Sequence, residues 1–231
     1  MSKCTIIVAG GSGKRMRLLH ESASASARGS VPKQFMLLKG RPVLCWTIEA
    51  FHGADPAMPI IVVLPKDQEG IWRTLCIGHH FHVEHTVVHG GEERYHSVRN
   101  GLAAAGDADL VAVHDGVRPL IDAGLIARCF EAAREHGAAI PVVPITSSVR
   151  SVDGEMNRAM DRSTLRAVQT PQCFRTELLR RAFELPYDPA FTDEATLVER
   201  MGTHIHLVEG EERNLKITTP VDLQVAELLM G

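Results

Sequence analysis

The chain has 231 residues, and its 25 Lys and Arg against 28 Asp and Glu give a formal net charge of −3 with neutral histidines. This balance argues against general nucleic-acid binding, which needs a basic surface, but permits a small phosphate ligand held by a few cations. The 45% of hydrophobic residues supports a sizeable core, so we expect one domain over residues 1–231. The longest apolar runs, such as 60–64, fall far short of the ~18 residues that span a membrane.

The N-terminal segment and the cysteines bear on the compartment. The apolar run 4–9 leads directly into glycines and basic residues, which is not the form of a signal peptide. The five cysteines are odd in number, scattered and without a Cys-x-x-Cys pair. We therefore expect reduced thiols, packed as small hydrophobic side chains, in a cytoplasmic protein.

Short apolar runs alternate with helical patterns over most of the chain. We predict strands at 5–9, 60–64, 83–88, 110–114 and 138–143. We predict helices at 43–51, 97–105 and 123–135. Asp122 is the expected N-cap of the third helix, and Gly137 its end. This alternation predicts an α/β fold, with a Rossmann-like, mostly parallel sheet flanked by helices.

The remaining segments are less regular. Residues 20–31 have no periodicity and a Ser-Ala composition typical of a flexible surface loop. Residues 149–160 centre on Asp153-Gly154, a signal for a two-residue hairpin turn, and such a hairpin must pack on something, for example a second subunit. Further helices are predicted near 177–184 and 193–201, and strands at 204–208 and near 214–217. The last helix begins with Thr219 as N-cap, then Pro220, with Asp222 in its first turn.

Glycines and cations follow the first predicted strand in the run Ala9-Gly10-Gly11-Ser12-Gly13-Lys14-Arg15. Backbone amides of such a turn can approach an anion closely, and the start of the next helix adds positive potential. The dinucleotide motif fails because Met16 stands where it needs Gly or Ala, and the P-loop fails because Val8 stands where it needs Gly. The run indicates a polyphosphate cradle of another kind; the alternative is a tight turn with solvated cations.

Several short motifs follow one another along the whole chain. The glycine-rich run and Pro32-Lys33-Gln34-Phe35 resemble motifs of the sugar-phosphate nucleotidyltransferases. Five further motifs are Gly90-Gly91-Glu92-Glu93-Arg94, His114-Asp115-Gly116-Val117-Arg118-Pro119, Gln169-Thr170-Pro171-Gln172, Thr192-Asp193-Glu194-Ala195 and Asn214-Leu215-Lys216-Ile217-Thr218. Within that superfamily, these five resemble the motifs of the 2-C-methyl-D-erythritol 4-phosphate cytidylyltransferase family. Each motif alone is weak, and their joint occurrence in register is strong. Ribitol-5-phosphate cytidylyltransferases share most of them, so the acceptor is less firmly implied than the cytidylyl transfer.

The resemblance implies a nucleotidyltransferase fold and a reaction in which an acceptor phosphate attacks the α-phosphorus of CTP, with Mg²⁺ as cofactor and pyrophosphate as product. The implied place of this reaction is non-mevalonate isoprenoid biosynthesis. Arg15 and Lys33 match residues that stabilise the pentacoordinate α-phosphate. The implied nucleotide-binding residues are Ala9, Gly10, Gly11, Gly13, Gly91, Glu92, Ser97 and Gly116. Of these, Gly91, Glu92 and Ser97 match positions that read the cytosine edge; the alternative is that the glycines only turn the chain into a helix.

A second group is implied to hold the acceptor. Arg162 and Lys216 match catalytic residues that grip its phosphate, and further contacts match Asp115, Arg118, Ser148 and Thr170. Asp115 could hold Mg²⁺ or bind substrate hydroxyls, or could form only a turn with Arg118. The hairpin arm, about residues 147–162, is implied to cross to a partner subunit, so Ser148 and Arg162 would act in trans in a homodimer. The protein ligands of the metal stay open.

Three departures from the family pattern stand out. Relatives usually carry Thr where this chain has Ser148, but a hydroxyl is retained. Many relatives carry Ala where this chain has Gly116, and either residue offers a backbone amide. The loop 17–31 is much longer than in relatives; Arg28 could reach a phosphate if the loop were a lid, but its Ser-Ala composition favours inert padding.

Two competing interpretations remain. Five of the 12 histidines crowd one segment, at His79, His80, His82, His85 and His89. On a strand, His80 and His82 would share a face, as would His204 and His206, and could bind Zn²⁺; no cysteine or ordered carboxylate completes such a site, so we expect a solvated face. A catalytically dead nucleotide-binding protein is the other alternative, and it is disfavoured because the implied catalytic cations are all retained.

Overall fold

The computed structural model describes residues 1–10 and 31–231. The strands found there are β1 (Lys3–Val8), β2 (Leu37–Leu38), β3 (Arg41–Pro42), β4 (Ile60–Leu64), β5 (Thr86–His89), β6 (Leu110–Asp115), β7 (Ala138–Pro144), β8 (Val149–Asp153), β9 (Met156–Met160), β10 (Arg166–Val168), β11 (Gln172–Arg175) and β12 (His206–Glu209). The α-helices are α1 (Val43–Ala54), α2 (Glu69–Gly78), α3 (Arg94–Ala103), α4 (Ala123–His136), α5 (Thr176–Ala182), α6 (Glu194–Glu199) and α7 (Pro220–Leu229).

Eight of these strands form one sheet. From β7 its order runs β11, β6, β1, β4 and β5, and β10 and β12 also pair with β7. β10 and β11 pair with different parts of one side of β7, and β12 pairs with its other side. All of these strands run parallel except β10 and β11, which are antiparallel to their neighbours. The predicted mostly parallel α/β sheet is confirmed, and its order changes direction at β1, where open α/β sheets bind ligands.

Helices cover both faces of the sheet because its central strands are apolar on both sides. In β1, Ile7 packs into a cluster with α1, α2 and α4, while Ile6 packs into a second cluster with α3, α5 and α6. Every residue of β4 is buried, which explains why its sequence is a continuous apolar run rather than an alternation. This three-layer core holds the carboxyl ends of the central strands in place. We call the edge of the sheet formed by these ends the active edge.

Local signals placed several elements correctly. β4 has the predicted bounds, and α4 begins after Asp122, whose Oδ1 accepts a hydrogen bond from the Leu125 amide at 2.7 Å. It ends at Gly137, whose φ of +90° favours glycine. The last helix has the predicted cap, with Thr219 and Asp222 forming a reciprocal capping box. Other boundaries shift by up to three residues; β5, for example, begins at Thr86 rather than at 83.

Two predictions were wrong in detail. Residues 214–217 are not a strand: the segment is irregular, and its Ile217 amide bonds to the Val117 carbonyl in the loop after β6 instead of joining a ladder. The hairpin β8–β9 exists, but Asp153 pairs with Met156, so the two loop residues are Gly154 and Glu155. Gly154, with φ of +58°, takes the first loop position, and this placement sets the register one residue later than predicted.

A small third cluster anchors the C-terminal helix α7. Ala226 packs with Leu38, Val43, Leu120 and Ile217. Through Ile217 this cluster fixes the irregular segment that carries Lys216. Within the described ranges, 1–10 and 31–231, the chain has no helix of the length and apolarity that crossing a bilayer requires. The segment 20–30, predicted as a flexible loop, lies outside the described residues.

Candidate active site

The carboxyl ends of β1, β4, β5 and β6 meet at one edge of the sheet. Ala9, just after β1, donates its amide to the Val63 carbonyl at 2.9 Å. Gly116, just after β6, donates to the Val8 carbonyl at 2.9 Å, and an added Cβ there would lie 2.9 Å from the Ala9 Cβ. Two nucleotide-binding candidates, Ala9 and Gly116, are thus brought together, and in this arrangement an alanine at 116 would have to displace Ala9. Gly10 follows Ala9, whereas the predicted residues Gly11, Gly13, Arg15 and Arg28 lie outside the described residues.

Asp115 is a buried carboxylate bound by two cations. Its Oδ2 lies 3.0 Å from the Nζ of Lys216 and 3.1 Å from the Nε of Arg118. Burial by itself would raise the pKa of Asp115, but the charges of Lys216, Arg94 and Arg118 outweigh it and hold this pKa well below its usual range. Asp115 is therefore an anion surrounded by positive charge, and the cluster retains a net attraction for phosphate.

Arg118 also explains the turn that the sequence left as an alternative. Its amide donates to the Asp115 carbonyl at 3.1 Å, and its NH1 donates to the Asn214 carbonyl at 2.7 Å. The turn is present, and it orients Arg118 across Asp115 towards the segment of Lys216. The structural and functional interpretations of these two residues are therefore compatible.

A hydrogen-bonded chain of buried groups fixes Asp115 from behind. The Asp115 amide donates to Thr170 Oγ1 at 3.1 Å, and Thr170 Oγ1 lies 3.1 Å from His114 Nδ1. His114 Nε2 lies 3.2 Å from the Arg118 carbonyl, so a neutral ring with its proton on Nε2 satisfies every partner. Burial lowers the pKa of His114 to about 4, which keeps the ring neutral. Thr170 was predicted as a substrate contact, whereas the supporting role of His114 was not foreseen.

Asn214 links the segment of Lys216 to the segment of Gln169 and Thr170. Its side-chain amide donates to the Thr170 carbonyl at 2.9 Å and lies 3.3 Å from Gln169 Oε1. The residue is fully buried, so these bonds fix the start of the segment that ends at Lys216. Its presence in the motif beside Lys216 was the only sequence signal for this role.

Lys33 lies far from Lys216 in the sequence but contacts the same C-terminal segment. Its Nζ donates to the Thr218 carbonyl at 3.0 Å, two residues beyond Lys216. Asp222 fixes this carbonyl, because its Oδ2 accepts from the Thr218 amide at 2.7 Å, from Thr218 Oγ1 at 2.8 Å and from the Thr219 amide at 2.7 Å. The start of α7 thereby holds the carbonyl that receives Lys33, close in the chain to Lys216.

The predicted cytosine-reading residues lie at the next strand ends. The Gly91 amide donates to Ser97 Oγ at 3.1 Å, and a Cβ on Gly90 would lie 2.7 Å from the same oxygen. Gly90 therefore has to be glycine for Ser97, which is buried on α3, to support the turn. Glu92 is exposed at the tip. We call residues 90–93 the base loop.

Ser148 and Arg162 lie at the two feet of the hairpin and are exposed. Arg162 donates from its NH1 to the Thr146 carbonyl. Among the described residues, no recorded contact joins either side chain to Asp115, Arg118 or Lys216. Within one chain, the structure brings Lys33 and Lys216 near each other but leaves Arg162 apart.

The histidine-rich segment does not form the predicted strand face. Residues 79–85 are irregular, His80 has a φ of +49°, and β5 begins only at Thr86. His85 accepts from Trp72 Nε1 at 2.9 Å, and His89 pairs with Glu69 at 2.7 Å. In residues 1–10 and 31–231, no group of three or more His, Cys, Asp or Glu is placed to hold a metal ion.

The sheet order and the cation-bound carboxylate at its carboxyl edge fit an α/β nucleotidyltransferase. The family model described as IspD, 2-C-methyl-D-erythritol 4-phosphate cytidylyltransferase, matches residues 3–231. The chain belongs to this family and is therefore an enzyme of the cytidylyltransferase class.

Relatives and solved structures agree with this assignment. The 2-C-methyl-D-erythritol 4-phosphate cytidylyltransferase of Bacteroides thetaiotaomicron is 45% identical over 230 residues, 100% of each chain. That of Geobacillus thermodenitrificans is 36% identical over 98% of this chain and 96% of its own. The crystal structure of the Thermus thermophilus enzyme superposes with a TM-score of 0.77 at 35% identity, covering 99% of this chain and 98% of that one. The 4-diphosphocytidyl-2C-methyl-D-erythritol synthase of Anaerococcus prevotii gives 0.79 at 27% identity, with coverage of 99% and 98%.

Proposed function

We propose that this chain, as a single domain over residues 1–231, transfers the cytidylyl group of CTP to 2-C-methyl-D-erythritol 4-phosphate in non-mevalonate isoprenoid biosynthesis. The observation that carries the residue assignment is the Asp115 carboxylate bound by Lys216 and Arg118, at the same edge of the sheet as the base loop. Such an arrangement offers positive charge where two phosphate-bearing substrates meet. Its five cysteines are all free, four of them buried, which supports work in a reducing cytoplasm.

The reaction requires positioning and charge more than covalent help. A phosphate oxygen of the acceptor attacks the α-phosphorus of CTP in line, and the bond from that phosphorus to the pyrophosphate oxygen breaks. Lys216 would grip the acceptor phosphate, while Lys33 and Arg15 stabilise the charge that accumulates on the α-phosphate. Asp115 keeps Lys216 aimed by its 3.0 Å contact, and its own oxygens can accept hydrogen bonds from substrate hydroxyls.

Base selection is assigned to the base loop. The Gly91 amide is held by Ser97 Oγ, so the backbone donors and acceptors beside it are fixed before the nucleotide binds. Fixed backbone groups discriminate a cytosine edge because they cannot rotate to suit another base. Ala9, Gly10 and Gly116 would form the floor against which the ribose packs.

The hairpin arm is assigned to a homodimer contact, with Ser148 and Arg162 serving the partner's acceptor site. Two apolar side chains near its tip, Val152 and Met156, are 71% and 78% exposed. β8 and β9 pair only with each other in the described part of the chain, so the arm lacks the packing that stabilises a two-stranded ribbon. A second subunit would supply it.

Enzymes of this class generally depend on a divalent metal, and the donor set here fits Mg²⁺ brought in on the triphosphate. Mg²⁺ is commonly bound by one or two carboxylates together with substrate phosphates, rather than by an all-protein cage. Asp115 is the carboxylate that would take part, since Lys216 and Arg118 both contact Oδ2 and not Oδ1. When bound, the metal would neutralise phosphate charge.

The deciding experiment is a pyrophosphate-release assay with CTP, Mg²⁺ and either 2-C-methyl-D-erythritol 4-phosphate or ribitol 5-phosphate. Release with the first acceptor is the expected result. Release with ribitol 5-phosphate alone would move the enzyme to the neighbouring activity. Release with neither acceptor, from protein shown to be folded, would contradict the enzymatic proposal and favour a nucleotide-binding protein.

A further inference from the structure

An ion pair between Arg94 and Glu194 joins two loops at the carboxyl edge of the sheet. Arg94 is the first residue of α3 and directly follows the base loop, and Glu194 is the first residue of α6. The Arg94 NH1 donates to Glu194 Oε1. The side chains are 29% and 2% exposed, so the carboxylate is buried while the guanidinium is partly exposed.

This pair is costly as a purely structural device. Burial raises the pKa of Glu194, and only Arg94 among its larger influences opposes that shift. The second oxygen, Oε2, is buried without a hydrogen-bond partner among the described residues. A half-satisfied buried charge is generally no better for stability than apolar residues of similar volume. A reason for keeping it therefore lies in what it positions.

Glu194 begins α6, and the start of this helix is hydrogen-bonded to the segment that supports Asp115. The Ala195 amide donates to Gln172 Oε1 at 3.0 Å, and Gln172 Nε2 donates to Asp193 Oδ2 at 2.8 Å. Gln172 lies two residues after Thr170, whose hydroxyl holds the Asp115 amide. Arg94 thus has the base loop on one side and, through these bonds, Asp115 on the other.

Arg94 also acts on Asp115 through its charge. With Lys216 and Arg118, it is one of three cations whose charge lowers the pKa of Asp115. These bonds and this charge link Arg94 to both candidate substrate subsites. Arg94 and Glu194 each stand in a motif that resembles the family, but the resemblance implied no role for either residue.

We propose that Arg94 is a positioning residue of the cytidylyl transfer: paired with Glu194, it holds the base loop in register with the Asp115 side of the site. This inference rests on the proposed function, since it assumes that CTP and the acceptor occupy those two sides. Loosening the pair should then weaken CTP binding and slow turnover together, because both depend on one relative placement.

The test compares Arg94→Lys and Glu194→Gln with Arg99→Lys, a matched substitution at an exposed arginine on the same helix. Arg94→Lys keeps the charge but loses the guanidinium geometry, and Glu194→Gln keeps a hydrogen-bond acceptor. For folded variants, checked by thermal unfolding, we expect a roughly 10-fold to 100-fold loss of kcat and a clearly raised Kd for CTP by calorimetry. Arg99→Lys should match the wild type in both.

The two readouts separate the proposals. Wild-type protein that binds CTP but turns over no acceptor contradicts the proposed function, while the Kd ratio still tests Arg94. If both Arg94→Lys and Glu194→Gln fold and keep the wild-type kcat and Kd, the pair is structural and the positioning role is wrong. If Arg94→Lys does not fold, Glu194→Gln alone decides by the same criterion.

Discussion

Lys216 and Asp115 meet through a 3.0 Å contact between Nζ and Oδ2, although one lies in an irregular segment after β12 and the other ends β6. The contact holds a partly exposed lysine against a buried carboxylate at the active edge. The contact therefore orients the lysine before any substrate binds, so the side chain loses less conformational entropy on binding.

Replacement of Lys216 tests this arrangement. Lys216→Met should lower kcat by roughly 10²- to 10³-fold, because a preorganised cation at developing charge is lost. Stability should fall modestly, because Asp115 loses one of the cations that favour its charged form while Arg118 remains against it. Steady-state kinetics and thermal unfolding provide the measurement, with Arg213→Met as the control at an exposed cation of the same segment. Equal effects of the two substitutions would contradict the assignment.

Asp222 should affect catalysis from outside the site. Asp222→Ala removes three hydrogen bonds that fix Thr218 and Thr219, so the carbonyl that receives Lys33 is no longer held. We expect a loss of about 1–2 kcal/mol in the free energy of unfolding from the lost cap. We also expect kcat to fall in the folded protein.

Two matched variants complete that measurement. Asp222→Asn should recover part of kcat, since its amide oxygen still accepts hydrogen bonds. Glu227→Ala, at the other end of α7, should leave kcat unchanged. A variant Asp222→Ala that is destabilised yet has the wild-type kcat would show that the cap stabilises α7 without positioning Lys33.

His114 predicts a pH dependence of stability. Its pKa is about 4 in the folded protein and 6.5 as the ordinary value, so the unfolded chain takes up a proton first as the pH falls. The contribution of the neutral ring is complete above about pH 6.5 and is lost progressively down to about pH 4, by roughly 1.4 kcal/mol per pH unit. Urea unfolding in metal-free buffer at several pH values measures it. An unchanged slope in His114→Gln would assign the effect to other titratable groups.

Mixing of subunits tests the hairpin in trans. Lys33→Ala and Arg162→Ala homodimers should both be inactive, because each site lacks one cation. In a mixture of refolded subunits, heterodimers should regain activity at the one site that is intact, a quarter of the wild-type total at most in an equal random mixture. No recovery, from subunits shown to be folded and to exchange, would place Arg162 in the site of its own chain.

The sequence determined the local features of this protein. Continuous apolar runs such as β4 allow only buried strands, and Asp122, Gly137 and Thr219 cap helices through bonds to residues three or four positions away. The motifs and their order also determined the family, because each motif is a short run of residues that can be recognised without the tertiary structure. These signals act over short separations, so a linear pattern records them.

The tertiary structure alone decided which motifs meet. The burial of Asn214, the His114–Thr170 contact and the Arg94–Glu194 pair join segments far apart in the chain, and no spacing predicts them. Residues 214–217 have an apolar alternation typical of a strand, yet bonds to the loop after β6 and packing under α7 keep them irregular. Long-range burial and charge pairing outweigh local propensity there, because an unpaired polar group in the interior costs more than a strand conformation returns.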